Sequence, residues 1–142
     1  MVQPLIASSI LNYNDLLSAF TQNKSWDAQY RLIIQLGKTL EDLPDQFKTE
    51  ENQVKGCESL AWLVINKQEE TYYFKMDSDT RVVKGLMKII SLIFQGRTKQ
   101  QIDEIQSEQL FEQLGLLNHL SPSRANGLFA IINTIKGVNC ID

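Results

Sequence analysis

Two neighbouring strand-like segments, set between stretches of helical periodicity, most strongly constrain how this chain folds. The segment SLAWLVIN (residues 59–66) is apolar on both faces, whereas TYYFKMD (residues 71–77) alternates apolar and polar side chains. The polar KQEE between them has the length of a hairpin connection, so we predict an antiparallel hairpin. The short NQVK before residue 56 is a candidate for a further strand.

Apolar residues recur at helical spacing on both sides of this hairpin. Helices are predicted within residues 12–20, 25–44, 78–96, 98–105, 107–115 and 121–137. Side chains suited to capping a helix N-terminus precede several of these stretches: Asn12 or Asn14, Ser25, Ser78 or Asp79, and Ser121. Helices, a small antiparallel sheet and then more helices predict an α+β domain.

Length and charge narrow the possible functions. A chain of 142 residues that is 43% hydrophobic is expected to form one domain, residues 1–142, with a proper core. Its net charge of −3 offers no basic surplus for nucleic acid. The longest apolar stretch, LMKIISLIF, is too short to span a bilayer, and the N-terminus lacks the pattern of a signal peptide. We therefore expect a cytoplasmic protein without a membrane partner.

The Gly-Cys pair in NQVKGCESLAWL (residues 52–63) is the most informative local feature. Cys57 and Cys140 are the two cysteines, and a structural disulfide is unexpected in a cytosolic chain of this size. Their spacing fits no zinc pattern, and the single histidine, His119, is too little to complete a metal site. Cys57 therefore remains either a small buried residue or a nucleophile.

Two further residues bear on that choice. His119 follows Cys57 far along the chain, as some Cys-His hydrolases require, although no orienting third residue can be named. Arg124 falls in the first turn of a predicted helix, where its charge opposes the helix dipole. Such an unfavourable placement indicates an anion or thiolate partner. We expect Arg124 and His119 to lie near Cys57 and to stabilise its anionic forms.

Four segments, taken in order, carry a resemblance to a known family. They are YRLIIQLGKTLEDLP (residues 30–44), NQVKGCESLAWL (52–63), DSDTRVVKGL (77–86) and LGLLNHLSPSRANGL (114–128). Together they resemble the SufE family of sulfur acceptor proteins. Glu58, at a position where many members have Gln, favours the CsdE-like branch.

The resemblance implies a fold and a function. The fold would be a small antiparallel sheet with helices packed on it, close to that of the iron–sulfur scaffold proteins. The partner would be a pyridoxal-phosphate-dependent cysteine desulfurase, which the protein stimulates, and Cys57 would take sulfur from it as a persulfide. A downstream acceptor, such as an iron–sulfur scaffold, would then receive the sulfur. No cofactor, metal or free-standing catalysis is expected, and a non-covalent desulfurase activator is the alternative.

Overall fold

The computed structural model of the chain describes residues 9–56 and 59–137. Within them the chain forms six α-helices and a three-stranded antiparallel sheet, which is the predicted α+β class. The elements are α1 (Tyr13–Gln22), α2 (Trp26–Thr39), a 3-10 turn (Asp45–Phe47), β1 (Ala61–Gln68), β2 (Thr71–Ser78), α3 (Arg81–Phe94), β3 (Arg97–Thr98), α4 (Lys99–Glu104), α5 (Ser107–Leu114) and α6 (Pro122–Lys136).

Local capping chemistry sets where three of the helices begin. The side chains of Asn12, Ser25 and Ser121 each accept a hydrogen bond from a backbone N–H in the first turn of α1, α2 and α6, as predicted. The prediction for α3 was wrong, because Thr80 is its N-cap residue. Ser78 still belongs to β2, and its hydroxyl donates to the carbonyl of Leu60.

The central hairpin is tighter than the sequence predicts. Strands β1 and β2 stay in register from the Ala61–Ser78 pair to the Gln68–Thr71 pair, which leaves a turn of two residues. Glu69, the first residue of that turn, has a φ of 58°. Polar residues end β1, so the apolar pattern stopped short of the true end of the strand.

The third strand lies elsewhere than predicted. Residues 52–55 form only a single bridge, between Gln53 and Trp62, and β3 pairs instead with the start of β2. The chain leaves α3 through Gly96, whose φ is 70° and whose N–H donates to the Tyr72 carbonyl at 2.9 Å. This turn lays β3 beside β2.

Helix α3 is the centre of the molecule. It packs on α2, β2, α6 and α1, and nine of its residues are buried. The crossing with α2 is very close, since a β-carbon on Gly37 would lie 2.9 Å from the backbone nitrogen of Gly85. The hydrophobic core thus forms around α3, with the hairpin on one side and α6 on another.

Candidate functional site

Backbone hydrogen bonds hold the chain on either side of the Gly-Cys pair. The Val54 N–H donates to the Ala61 carbonyl at 2.8 Å, and the Leu63 N–H donates to the Asn52 carbonyl at 2.8 Å. The chain before the Gly-Cys pair is therefore paired with the start of β1, at the edge of the sheet. Residues 57 and 58 lie outside the described residues, so the site is built from their neighbours.

Leu60, which follows the Gly-Cys pair, has a backbone held by hydrogen bonds and an exposed side chain. The Leu60 carbonyl accepts hydrogen bonds from the Ser78 hydroxyl at 2.6 Å and from the Asp79 N–H at 3.3 Å. The Leu60 side chain is nevertheless 46% exposed. An exposed leucine on a fixed backbone is an apolar contact available to a partner.

Helix α6 lies against described residues on either side of residues 57 and 58, at Ser59 and at Gly56. Arg124 donates from Nη1 to the Ser59 hydroxyl at 3.4 Å, a long hydrogen bond. On the other side, a β-carbon on Gly56 would lie 3.5 Å from the β-carbon of Ala130. Arg124 was expected near Cys57. Its contact is with Ser59, two residues beyond Cys57 in the sequence, and Cys57 itself lies outside the described residues.

A cavity of about 400 Å³ opens between α3, α6 and Ser59. Its polar lining comes from three hydroxyls and one guanidinium: Ser59, Ser121, Ser123 and Arg124. Its apolar lining comes from buried aliphatic side chains: Val83, Leu86, Leu128 and Ile131. The cavity thus combines an apolar wall, which excludes water, with donors that favour an anion.

Among the described residues that line this cavity, the charged one is Arg124. Within residues 9–56 and 59–137 the ion pairs are those of Lys48 and Lys84, and Arg124 takes part in none. The N-terminal end of α6, capped by Ser121, adds its partial positive charge on the same side. A half-buried guanidinium beside hydroxyls can hold a thiolate, a persulfide or an oxyanion.

His119 lies in a different environment. Its ring stacks on that of Trp26 with centroids 4.9 Å apart and planes 13° apart, and its side chain is exposed. Trp26 opens α2, so His119 ties the segment before α6 to the start of α2. Cys140 lies outside the described residues.

A buried ion centre around Asp77, near the end of β2, was not predicted from the sequence. Asp77 is 3% exposed, accepts hydrogen bonds from the N–H groups of Leu43 and Ser78, and lies 3.4 Å from each of two lysines. Burial alone would raise the pKa of Asp77. The two N–H donors, with the charges of Lys84 and Lys48, reverse that effect and hold the pKa below its ordinary value.

This centre explains much of the DSDTRVVKGL segment. Asp77 and Lys84 belong to the ion cluster, and Gly85 provides the close crossing with α2. Burial lowers the pKa of Lys84, but the hydrogen bond from Lys84 to Asp42 and the charge of Asp77 outweigh that effect and raise the pKa above its ordinary value. The same segment builds one wall of the cavity, to which it contributes Val83 and Leu86.

The described part of the chain offers neither a metal centre nor a membrane span. No three of its His, Asp and Glu side chains cluster in a way that could hold a metal ion. Within the same residues, every helix is too short or too polar to cross a bilayer.

Comparison with known proteins identifies the family. The sequence model of the SufE family, described as an Fe-S metabolism associated domain, matches residues 14–138. An uncharacterized SufE-like protein of Rhizobium meliloti (strain 1021) is 36% identical over 127 residues, which cover 87% of this chain and 91% of that protein. The chain therefore belongs to the SufE family.

The fold has a counterpart among solved structures. The solution structure of a hypothetical protein from Thermus thermophilus superposes with a TM-score of 0.70, covering 88% of this chain and 90% of that one. At 13% sequence identity this likeness speaks for the fold alone. The family itself connects the protein with iron–sulfur metabolism and sulfur transfer.

Proposed function

We propose that this protein accepts sulfur from a pyridoxal-phosphate-dependent cysteine desulfurase and carries it as a persulfide on Cys57. The cargo then passes to a downstream acceptor, such as an iron–sulfur scaffold, in the cytoplasm. The observation that carries the proposal is that described residues on either side of Cys57 lie against α6. A β-carbon on Gly56 would lie 3.5 Å from the β-carbon of Ala130, and Ser59 accepts a hydrogen bond from Arg124. Consecutive Cα atoms are about 3.8 Å apart, so chain connectivity keeps Cys57 near these contacts.

The reaction is an exchange between a thiolate and a persulfide. The Cys57 thiolate attacks the outer sulfur of the desulfurase Cys–S–SH, and a new S–S bond forms as the old one breaks. The desulfurase cysteine leaves as a thiolate, so no external oxidant or reductant is needed. Arg124 offsets negative charge on the Cys57 thiolate and on the persulfide that replaces it.

The cavity beside Ser59 and Arg124 supports a carrier role. A persulfide that reaches solvent meets reductants and oxidants, whereas the walls formed by Leu86, Leu128 and Ile131 exclude water. The exposed Leu60 side chain supports docking, because it offers the desulfurase an apolar contact three residues beyond the cysteine. Glu58 favours the CsdE-like branch of the family.

The decisive experiment is mass spectrometry after incubation with a cysteine desulfurase and cysteine. The wild-type protein and Cys140→Ser are expected to gain one sulfur atom, which peptide mapping assigns to Cys57. Cys57→Ser is expected to gain none and to lose stimulation of the desulfurase, with its thermal unfolding unchanged.

Two other outcomes would defeat the proposal. Full stimulation by Cys57→Ser without any sulfur adduct would show a non-covalent activator instead. Acylation of Cys57 by electrophilic acyl substrates, dependent on His119, would show a hydrolase.

A further inference from the structure

Helix α2 carries a second apolar stripe besides the one that packs into the core. The core stripe contains the buried Leu32 and Leu36. The second consists of Trp26, Tyr30 and Ile34, which are four residues apart and therefore lie along one side of the helix. Trp26 and Ile34 are half-buried, and Tyr30 is 42% exposed. We call these three residues the α2 stripe.

The two ends of the α2 stripe differ in chemistry. At the start of the helix, the Trp26 ring meets Tyr30 edge to face and stacks on the exposed His119. At the other end, a cavity of about 130 Å³ lies between α2 and α3. It is lined by Ile34, Gly37, Lys38, Arg81 and Lys84. The α2 stripe therefore runs from an aromatic end to a basic end.

The basic end carries two cations that no acidic side chain pairs. Lys84 forms ion pairs with Asp42 and Asp77, whereas Lys38 and Arg81 take part in none within residues 9–56 and 59–137. Both of these side chains are exposed, on a protein whose net charge is −3. An ammonium and a guanidinium that line one cavity attract a carboxylate, which Arg81 can hold through two parallel hydrogen bonds.

We infer that the α2 stripe, together with Lys38 and Arg81, is a docking surface for an amphipathic helix of a partner protein that carries acidic residues at one end. A ridge of side chains spaced by four residues is the feature against which a second helix packs. From Tyr30 to Lys38 the helix rises about 12 Å, so a partner helix of about three turns covers both. The inference goes beyond the proposed function, since it involves neither Cys57 nor sulfur.

The apolar and the charged parts of this surface have different roles. Exposed ion pairs alone contribute little free energy, so contact with Trp26, Tyr30 and Ile34 supplies most of the affinity. The cations at Lys38 and Arg81 fix the direction in which the partner helix lies and exclude a partner with a basic end.

The test is an NMR titration of the isotope-labelled protein with two synthetic helical peptides. Both have leucines along one face, and one carries glutamates at one end where the other carries lysines. The glutamate peptide is expected to shift amide resonances of α2 and of the start of α3. It should bind at least about fivefold more weakly at about 0.5 M salt, because salt screens exposed charges. The lysine peptide should bind at least about tenfold more weakly than the glutamate peptide.

Substitutions test each part of the surface with the glutamate peptide. Tyr30→Ser is expected to raise the Kd at least about tenfold, because it removes most of the exposed apolar contact. Lys38→Gln combined with Arg81→Gln is expected to raise the Kd at least about fivefold. All three side chains are exposed, so thermal unfolding should be nearly unchanged.

Matched controls are available on the sheet and on α4. Tyr73→Ser removes a tyrosine that is 40% exposed on β2, away from α2. Lys75→Gln combined with Lys99→Gln removes two exposed positive charges from β2 and α4. Both controls should change the Kd less than about twofold.

Three results would overturn the inference: equal binding of the two peptides, shifts centred away from α2, or a Kd indifferent to Tyr30→Ser. A concentration-dependent dimer in sedimentation that Tyr30→Ser abolishes would also overturn it, by making a second copy of the chain the occupant. Sulfur loading of Cys57 is measured separately, so failure of the docking surface leaves the proposed function standing, and the reverse holds as well.

Discussion

Gly85 of α3 lies directly against the backbone of Ile33 in α2, and a β-carbon at Gly85 would overlap the Ile33 carbonyl. Neither helix can move away freely, because α3 is also packed on β2 and α6. Gly85→Ala is therefore expected to lower the free energy of unfolding by about 3 kcal/mol or more. Denaturant unfolding measures this loss.

Gly137→Ala is the control for that substitution. Gly137 follows α6 with a φ of −71°, and a β-carbon there would meet nothing within 4 Å. Its replacement should leave stability unchanged or raise it by up to about 1 kcal/mol. Equal effects at the two glycines would contradict the close crossing of α2 and α3.

Asp77 makes stability depend on acid. Because its pKa is lower in the folded protein than its ordinary value of 3.8, the unfolded chain binds the proton more readily. The stabilisation is present above pH 3.8 and disappears as the pH falls through the folded-state pKa. Asp77→Asn should cost about 2–3 kcal/mol at neutral pH, and its difference from the wild type should shrink in acid.

The exposed partner in the same cluster provides the comparison. Asp42 bonds Lys84 at 3.0 Å, but its side chain is 86% exposed. Asp42→Asn should change the free energy of unfolding by less than about 1 kcal/mol. Urea titrations of both variants from about pH 3 to about pH 7 decide the matter, and a parallel pH dependence for Asp77→Asn and wild type would contradict the assignment.

Glu69 occupies the hairpin turn with a backbone angle that favours glycine. Its φ of 58° lies in the left-handed region, where a side chain costs about 1 kcal/mol. Glu69→Gly is expected to raise the free energy of unfolding by about 0.5–1 kcal/mol, while Glu70→Gly, without a positive φ, should lower it. A chemical melt of the two variants provides the comparison, and destabilisation by Glu69→Gly would count against the turn.

Leu60 offers a test of docking that leaves the cysteine intact. Leu60→Ser should raise the concentration needed for half-maximal desulfurase stimulation by about tenfold, since burying a leucine is worth about 1.5–3 kcal/mol. Folding stability should stay within about 0.5 kcal/mol because the side chain is exposed. Leu11→Ser removes another exposed leucine, before α1, and should stimulate like the wild type. Equal effects of the two variants would remove Leu60 from the docking surface.

Arg124 is expected to set the pH at which Cys57 reacts. Without the guanidinium the thiolate loses a nearby positive charge, so alkylation of Cys57 in Arg124→Gln should require a pH higher by about 1 unit or more. Arg124→Lys keeps a charge and should shift the profile less. The rate of iodoacetamide labelling from about pH 6 to about pH 10 measures the effect. Identical pH profiles for the wild type and Arg124→Gln would show that Arg124 does not influence the thiol.

The sequence correctly predicted features that depend on residues close together in the chain. Asn12, Ser25 and Ser121 were recognised as caps because a cap bonds backbone groups within three residues. Strand β3 was not predicted because a strand of two residues is too short to show an alternating apolar pattern. Its pairing with β2 depends on the turn at Gly96. The N-cap of α3 was misplaced because Ser78 is used by the strand.

Some features of the candidate site were likewise visible in the sequence, and others were not. The unfavourable charge of Arg124 at a helix start was visible in the sequence, and its contact with Ser59 joins residues 65 positions apart. The stacking of His119 on Trp26 and the burial of Asp77 left no periodic signal. Both depend on long-range packing, which a linear pattern does not carry.

The chain on either side of the Gly-Cys pair is attached to the rest of the protein through its backbone atoms. The Val54 N–H donates to the Ala61 carbonyl, and the Leu60 carbonyl accepts a hydrogen bond from the Ser78 hydroxyl. These bonds use backbone atoms of the segments that flank the cysteine. Side chains around the cysteine can therefore be exchanged without disrupting the sheet. A change of sequence around the cysteine can therefore direct the protein to a new partner while the fold stays the same.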